Sequence, residues 1–222
     1  MSNAVRKTPK DKKAGVVDLF TAQKSADTIA RTHTTELVIA LCGPIGSPLH
    51  DVATALESML TDTFNYEKCT KVRLSKLIGD YAEKVGKAIP DKPGYEKIQA
   101  QIDVGNDLRA AYGAGVLAEL AVNSIRLDRE VHKTASGATA YAPRRVCHII
   151  DSVKNQEELD LLRMVYREML YVVGVFSPLD QREENLKRKG LDSAEVYELI
   201  DRDSGEESKT GQTVRDTFPQ CD

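Results

Sequence analysis

The first unbroken run of apolar side chains is Leu37-Val38-Ile39-Ala40-Leu41-Cys42. A run without polar alternation has both faces covered, as in a strand inside a parallel sheet. The turn residues Gly43-Pro44-Ile45-Gly46-Ser47-Pro48 end it, and from Leu49 onward Val52, Leu56, Met59 and Leu60 recur at helical spacing. Residues 70–74 alternate as a second strand, 77–87 read as a helix, and 89–94, with two prolines and a glycine, as a loop. A long helical region over 95–129 is expected to break into two pieces at Gly105, Gly113 and Gly115, with a small, polar loop over 132–143 after it. Residues 146–151 form a third strand that ends in an acid, and 156–170 form a helix with Leu159, Leu162, Val165 and Met169 on one face. Residues 171–176 are the fourth strand. Ser177 or Asp180 is expected to cap a helix running through Lys189, and 192–201 is a further short helix. Strand, turn and helix repeated in this order predict an α/β fold, a three-layer domain with a parallel sheet and right-handed crossovers.

Composition narrows the setting. The 222 residues are 41% hydrophobic and 29% charged, a globular composition. That length suits one large domain whose core buries roughly 70% of the unfolded surface. Thirty-one Lys and Arg against 34 Asp and Glu leave a net charge of −3, which excludes a generally basic nucleic-acid binder but leaves a local patch open. Such a patch is concentrated at the start of the chain. Residues 1–35 read as a basic, flexible segment, with Arg6, Lys7, Lys10, Lys12 and Lys13 close together, and the alternative is an arm that contacts phosphate or RNA. No stretch approaches the ~20 apolar residues of a membrane helix, and no apolar run follows the first basic residues as in a secretory signal. Cys42, Cys69, Cys147 and Cys221 are too far apart for a C-x-x-C pair; Cys42 and Cys147, inside apolar runs, read as small hydrophobes, and with no disulfide suggested the simplest setting is a reducing cytoplasm.

A glycine-bearing turn between a buried strand and a helix is where phosphates bind, on backbone N–H groups and a helix N-terminus. A Walker A loop counted from Gly43 would place glycine, lysine and a hydroxyl at positions 48, 49 and 50, which are Pro48, Leu49 and His50. Pro48 also lacks a backbone donor. Efficient phosphoryl transfer needs that lysine and that hydroxyl, so the context of a phosphate loop is present without its chemistry.

Further segments line up with this turn. Gly105-Asn106-Asp107-Leu108-Arg109 with Ala110-Ala111-Tyr112-Gly113 resembles the substrate-side helix of P-loop nucleoside monophosphate kinases, where an Arg contacts the monophosphate. The run from Arg145 through Asp151-Ser152-Val153-Lys154 to Leu161-Leu162-Arg163 resembles their next strand and helix. Val173-Gly174-Val175-Phe176 with Gln181-Arg182 resembles the strand before their arginine-bearing lid. ELVIALCGPIGSPLHDV, IIDSVKNQEELDLLRMVY, YVVGVFSPLDQRE and DRDSGEESKTGQTVRDTF together are similar to the N-terminal P-loop-like domain of bacterial anti-phage dCTP deaminases, over 36–222. The resemblance implies a kinase-like three-layer fold with a degenerate Walker A loop. It implies a regulatory or nucleotide-sensing role in an enzyme that depletes cytosine deoxynucleotides during phage infection. The implied partners are a C-terminal deaminase domain, a nucleotide effector, a small regulatory RNA and further copies of the parent protein. Zinc is implied only for the deaminase domain: none of His33, His50, His132 and His148 is followed by Glu two residues on, so the H-x-E and P-C-x-x-C ligands are absent from this chain. The chain is accordingly expected to stop before the final strand of the fold.

The nucleotide-binding candidates are Gly43, Gly46, Ser47, His50, Arg109, Asp151, Arg182 and Arg188. Each has a plainer reading. Asp151 is equally a solvated strand-end acid, and Arg109 an i, i+4 surface partner. Arg182, Lys187, Arg188 and Lys189 alternate with Glu183 and Glu184, as on a solvated helix face. His50 is equally decoration at a helix start, and His148, inside an apolar strand, is a core histidine. A nucleotide kinase and a protein- or RNA-interaction module remain as alternatives.

Overall fold

The apolar run 37–42 becomes β1 (Leu37–Cys42), an inner strand of a four-stranded sheet in the computed structural model, which describes residues 36–137, 144–204 and 214–222. The basic segment 1–35 and the stretch 138–143 lie outside the described residues. The described residues form one compact unit.

After β1 come α1 (Leu49–Ser58), which ends in a π-helical turn, β2 (Lys68–Arg73), α2 (Leu74–Asp80), α3 (Tyr95–Tyr112) and α4 (Val116–Ala135). Then follow β3 (Val146–Val153), α5 (Gln156–Tyr166), β4 (Leu170–Gly174), α6 (Leu179–Lys187), α7 (Ser193–Ser204) and the short α8 (Val214–Thr217). The strand order among the described residues is β2-β3-β1-β4, every pair parallel.

Strand alternation divides the core between the two faces of the sheet. Val38, Ala40, Ile150 and Val172 pack with Leu108, Leu117, Leu159 and Leu162 of α3, α4 and α5. Ile39, Leu41, Cys147 and Ile149 pack on the other face against Ala53 and Leu60 of α1 and its π turn. Helices therefore cover both faces of a parallel sheet, as the alternation of strands and helices predicts.

Several boundaries differ from the expectation. Gly105 does not break α3, and the break falls at Gly113, with φ +105. A Cβ on Gly105 would stand 3.2 Å from Ile78 Cδ1, so this glycine serves the close approach of α2 and α3. Residues 132–135, expected in a loop, extend α4, where His132 and Lys133 face the negative end of the helix dipole. Neither Ser177 nor Asp180 caps α6. Pro178 precedes the helix without a side-chain cap, and α6 stops at Lys187 ahead of Gly190, with φ +89. Asn155 does cap α5, its side-chain oxygen accepting from Glu157 N at 2.9 Å. At the chain's end Asp222 lies on the outer edge of β4: its N–H donates to Val172 O, and Val172 N donates to its Oδ2, each at 2.9 Å.

Candidate functional site at the switch point of the sheet

The chain leaves β1 toward β2 on one side of the sheet and leaves β3 toward β4 on the other. The crevice at such a reversal, outside the carboxyl ends of the two central strands, is where open α/β sheets take their ligands. Here it is bounded by the turn 43–48 after β1 and by Asp151, Ser152 and Lys154 at the end of β3.

The turn's glycines are required by close approach. A Cβ on Gly43 would meet Val175 O at 2.7 Å, where Val175 N donates to Cys42 O. Gly46 has φ +85, and a Cβ there would meet Arg182 O at 2.7 Å. Leu49, at the position of a Walker lysine, directs Cδ2 back to within 3.3 Å of the Cβ position of Gly43, toward the cluster on the α1 face. Ser47 N donates to Pro44 O, closing the turn, while Ser47 Oγ is buried without a partner among the described residues.

Helices α6 and α7 close over this turn. Arg182 Nε donates to Ile45 O at 2.7 Å, and Asn185 Nδ2 donates to Gly46 O at 2.9 Å. Arg182 Nη2 is buried without a partner among the described residues, and burial pulls the Arg182 guanidinium below its usual pKa, with the charge of Asp203 opposing. Asp203 of α7 enters the turn: Ile45 N donates to its Oδ2 at 2.6 Å, and Lys154 Nζ donates to its Oδ1. Its side chain is wholly buried. A carboxylate thus takes the backbone donor and the lysine that an anionic ligand of this turn would use, in charge-assisted hydrogen bonds roughly twice as strong as neutral ones.

The other expected residues are dispersed around the crevice. Arg109 is neither free for a phosphate nor on the surface. It is 2% exposed, its Nε and Nη2 donate to Glu158 Oε1 at 2.9 and 2.8 Å, and its Nη1 donates to Asn106 Oδ1 at 3.1 Å. His50, exposed at the start of α1, has Nδ1 3.1 Å from Arg73 Nη2. Asp151 is half-buried, and burial pushes its carboxyl above the usual range, against Arg73, His50, Lys154 and Lys189. Arg188 is exposed and bonded to Glu184, with Nη1 also donating to Asn185 Oδ1 at 3.4 Å, and has no hydrogen bond to the turn itself among the described residues. His148 is buried, with Nε2 3.2 Å from Glu36 Oε1. The residues missing from the sequence reading are Lys154, Asn185 and Asp203. Lys154 follows the acid at the end of β3, a strand-end signal that was legible; Asn185 and Asp203 reach the turn only through the docking of α6 and α7.

Two cavities flank the Asp203 contact. Asp203 lines one of 340 Å³ together with Pro44, Phe176, Arg215 and Phe218. Its partners Ile45 and Lys154 line the other, of 130 Å³, with Arg109 and Ser152. The first falls within the roughly 300–1,000 Å³ of small-molecule sites and the second well below it.

Among the described residues no group of three or more His, Cys, Asp or Glu is placed to hold a metal. Also among them, no helix is long and apolar enough to cross a membrane. No family model matches the chain, and no curated protein matches it.

Proposed function

We propose that this chain is a regulatory, nucleotide-sensing domain of P-loop kinase-like type, serving an antiviral dCTP deaminase whose zinc site lies in a separate domain. The observation that carries the reading is the turn at the switch point, where Ile45 N and Lys154 Nζ converge on one buried carboxylate, while Ser47 Oγ and Arg182 Nη2 of the same turn and its covering helix have no partner among the described residues. These groups form the phosphate pole. The 340 Å³ cavity, lined by the aromatic side chains of Phe176 and Phe218, would take the base. The segment set quoted above supplies the deaminase context and, with it, a small RNA and further copies of the parent protein as partners. Leu49 argues against a kinase, because at the position of the catalytic lysine it is an apolar side chain turned toward the core.

The test is a thermal-shift screen with millimolar dCTP, dCMP, ATP and GTP, with and without magnesium. A ligand that binds only the folded state adds about 2.7 kcal/mol at a hundred times its Kd. A cytosine nucleotide is expected to raise the midpoint most. Equal shifts with all four would remove the cytosine assignment. Phosphate transfer to dCMP that is lost in Asp151→Ala would replace the reading with that of a kinase.

A further inference from the structure

We infer that Asp203 is an internal competitor for the phosphate pole, so that an anionic ligand gains the turn only by displacing this carboxylate from Ile45 N and Lys154. The inference rests on the nucleotide-sensing reading and adds its regulation.

The contact has the geometry of a bound anion. One oxygen accepts a backbone N–H of the turn, the other accepts a lysine, and the side chain is wholly buried. The carboxylate neutralises one cation, whereas a triphosphate brings several negative charges to the same backbone donor and lysine. A polyphosphate therefore has a differential advantage over the carboxylate, the condition for a ligand to shift such an equilibrium.

The element carrying Asp203 is latched separately from the main core. Leu186, Leu191, Val196, Leu199 and Ile200 of the α6–α7 hairpin form their own cluster, which reaches Ile102 and the turn residue Ile45. Arg202, next to Asp203, holds Asp103 of α3 at 2.5 Å. This ion pair lies outside the cradle, so it sets how firmly the carboxylate is held without touching the ligand. While the closed state dominates, the apparent affinity falls in proportion to the open fraction. Removing the charge, or loosening the latch, raises that fraction.

The experiment is calorimetric titration of the full chain, its Asp203→Asn variant and its Arg202→Ala variant with inorganic tripolyphosphate and with dCTP, circular dichroism confirming that each variant is folded. Asp203→Asn is expected to bind both probes at least tenfold more tightly than the parent, with Arg202→Ala in between. Hydrogen exchange over 193–204 is expected to speed up in the parent when the probe is bound. Equal affinities in all three proteins would overturn the competitor while leaving the nucleotide-sensing reading in place. Absence of binding in all three would overturn both. If Asp203→Asn does not fold, Arg202→Ala decides alone: unchanged affinity there, with unchanged exchange over 193–204, refutes the latch.

Discussion

Two buried ion pairs meet at the carboxyl end of β3, and they differ in what their helices rest on. Arg109–Glu158 joins α3 to α5, with side-chain exposures of 2% and 0%. Lys154–Asp203 joins the end of β3 to α7, with 14% and 0%. Glu158 links them, since its Oε2 accepts from Lys154 N at 3.3 Å. The partners of the first pair sit on helices of the main cluster, around Leu108, Leu159 and Leu162, so the pair cannot open unless the core opens. The acid of the second rides on a helix with its own smaller cluster around Leu199 and Leu186. The same chemistry is therefore a strut in one place and a latch in the other, and the apolar cluster behind each acid decides which. Arg109, which by its motif would hold a monophosphate, is the strut.

The comparison breaks most visibly at Glu158. Glu158→Ala leaves the Arg109 guanidinium buried without its carboxylate, and urea denaturation is expected to show a loss of about 3–5 kcal/mol. The double variant Arg109→Met with Glu158→Leu is expected to recover most of that loss, because two apolar side chains of similar volume replace two desolvated charges. A double variant no better than Glu158→Ala would mean that the polar network, and not desolvation, holds α3 and α5 together.

Asp151 sharpens the contrast at the crevice with a smaller effect. Its carboxyl is pushed up by burial, so folding favours its protonated form. The stability that this proton confers is present below the unfolded pKa of about 3.9 and is lost as pH rises through the higher folded value. Asp151→Asn is expected to raise the melting midpoint at pH 7, with the gap from the parent closing as the pH falls below about 4. A constant gap across that range would assign the effect to packing instead.

Arg188 supplies the lower bound. Its pairing with Glu184 is an exposed i, i+4 contact on α6. Arg188→Ala is expected to change stability by no more than about 0.5 kcal/mol and to leave tripolyphosphate affinity unchanged. A loss of affinity would return Arg188 to the phosphate pole.

Much of the frame was readable along the chain. The apolar run 37–42, the turn after it and the strand that carries Asp151 place a crevice from the sequence, although that strand runs on to Val153 rather than ending at the acid, because strand burial and turn chemistry act over a few neighbouring residues. Helix ends were less readable. Gly105 and Gly113 are alike as residues, yet only Gly113 ends a helix, since Gly105 is there to let Ile78 approach. Polar 132–135 remain helical because solvent suits one face of α4 as well as it suits a loop. At the site, the resemblance of its segment to a kinase helix assigned Arg109 to a phosphate, while a Glu 49 positions away claimed it.

What the amino-acid order determined by itself is the succession of strands and helices and the mismatch of the turn to a Walker A pattern, since Pro48, Leu49 and His50 lack its glycine, lysine and hydroxyl wherever they point. Only the tertiary structure decided what fills that turn. Asp203 lies 158 residues beyond Ile45, and nothing in the local sequence of either marks them as partners. Their contact is set by the way the α6–α7 cluster docks on Ile45 and Ile102, an outcome of packing between distant segments that no local pattern encodes.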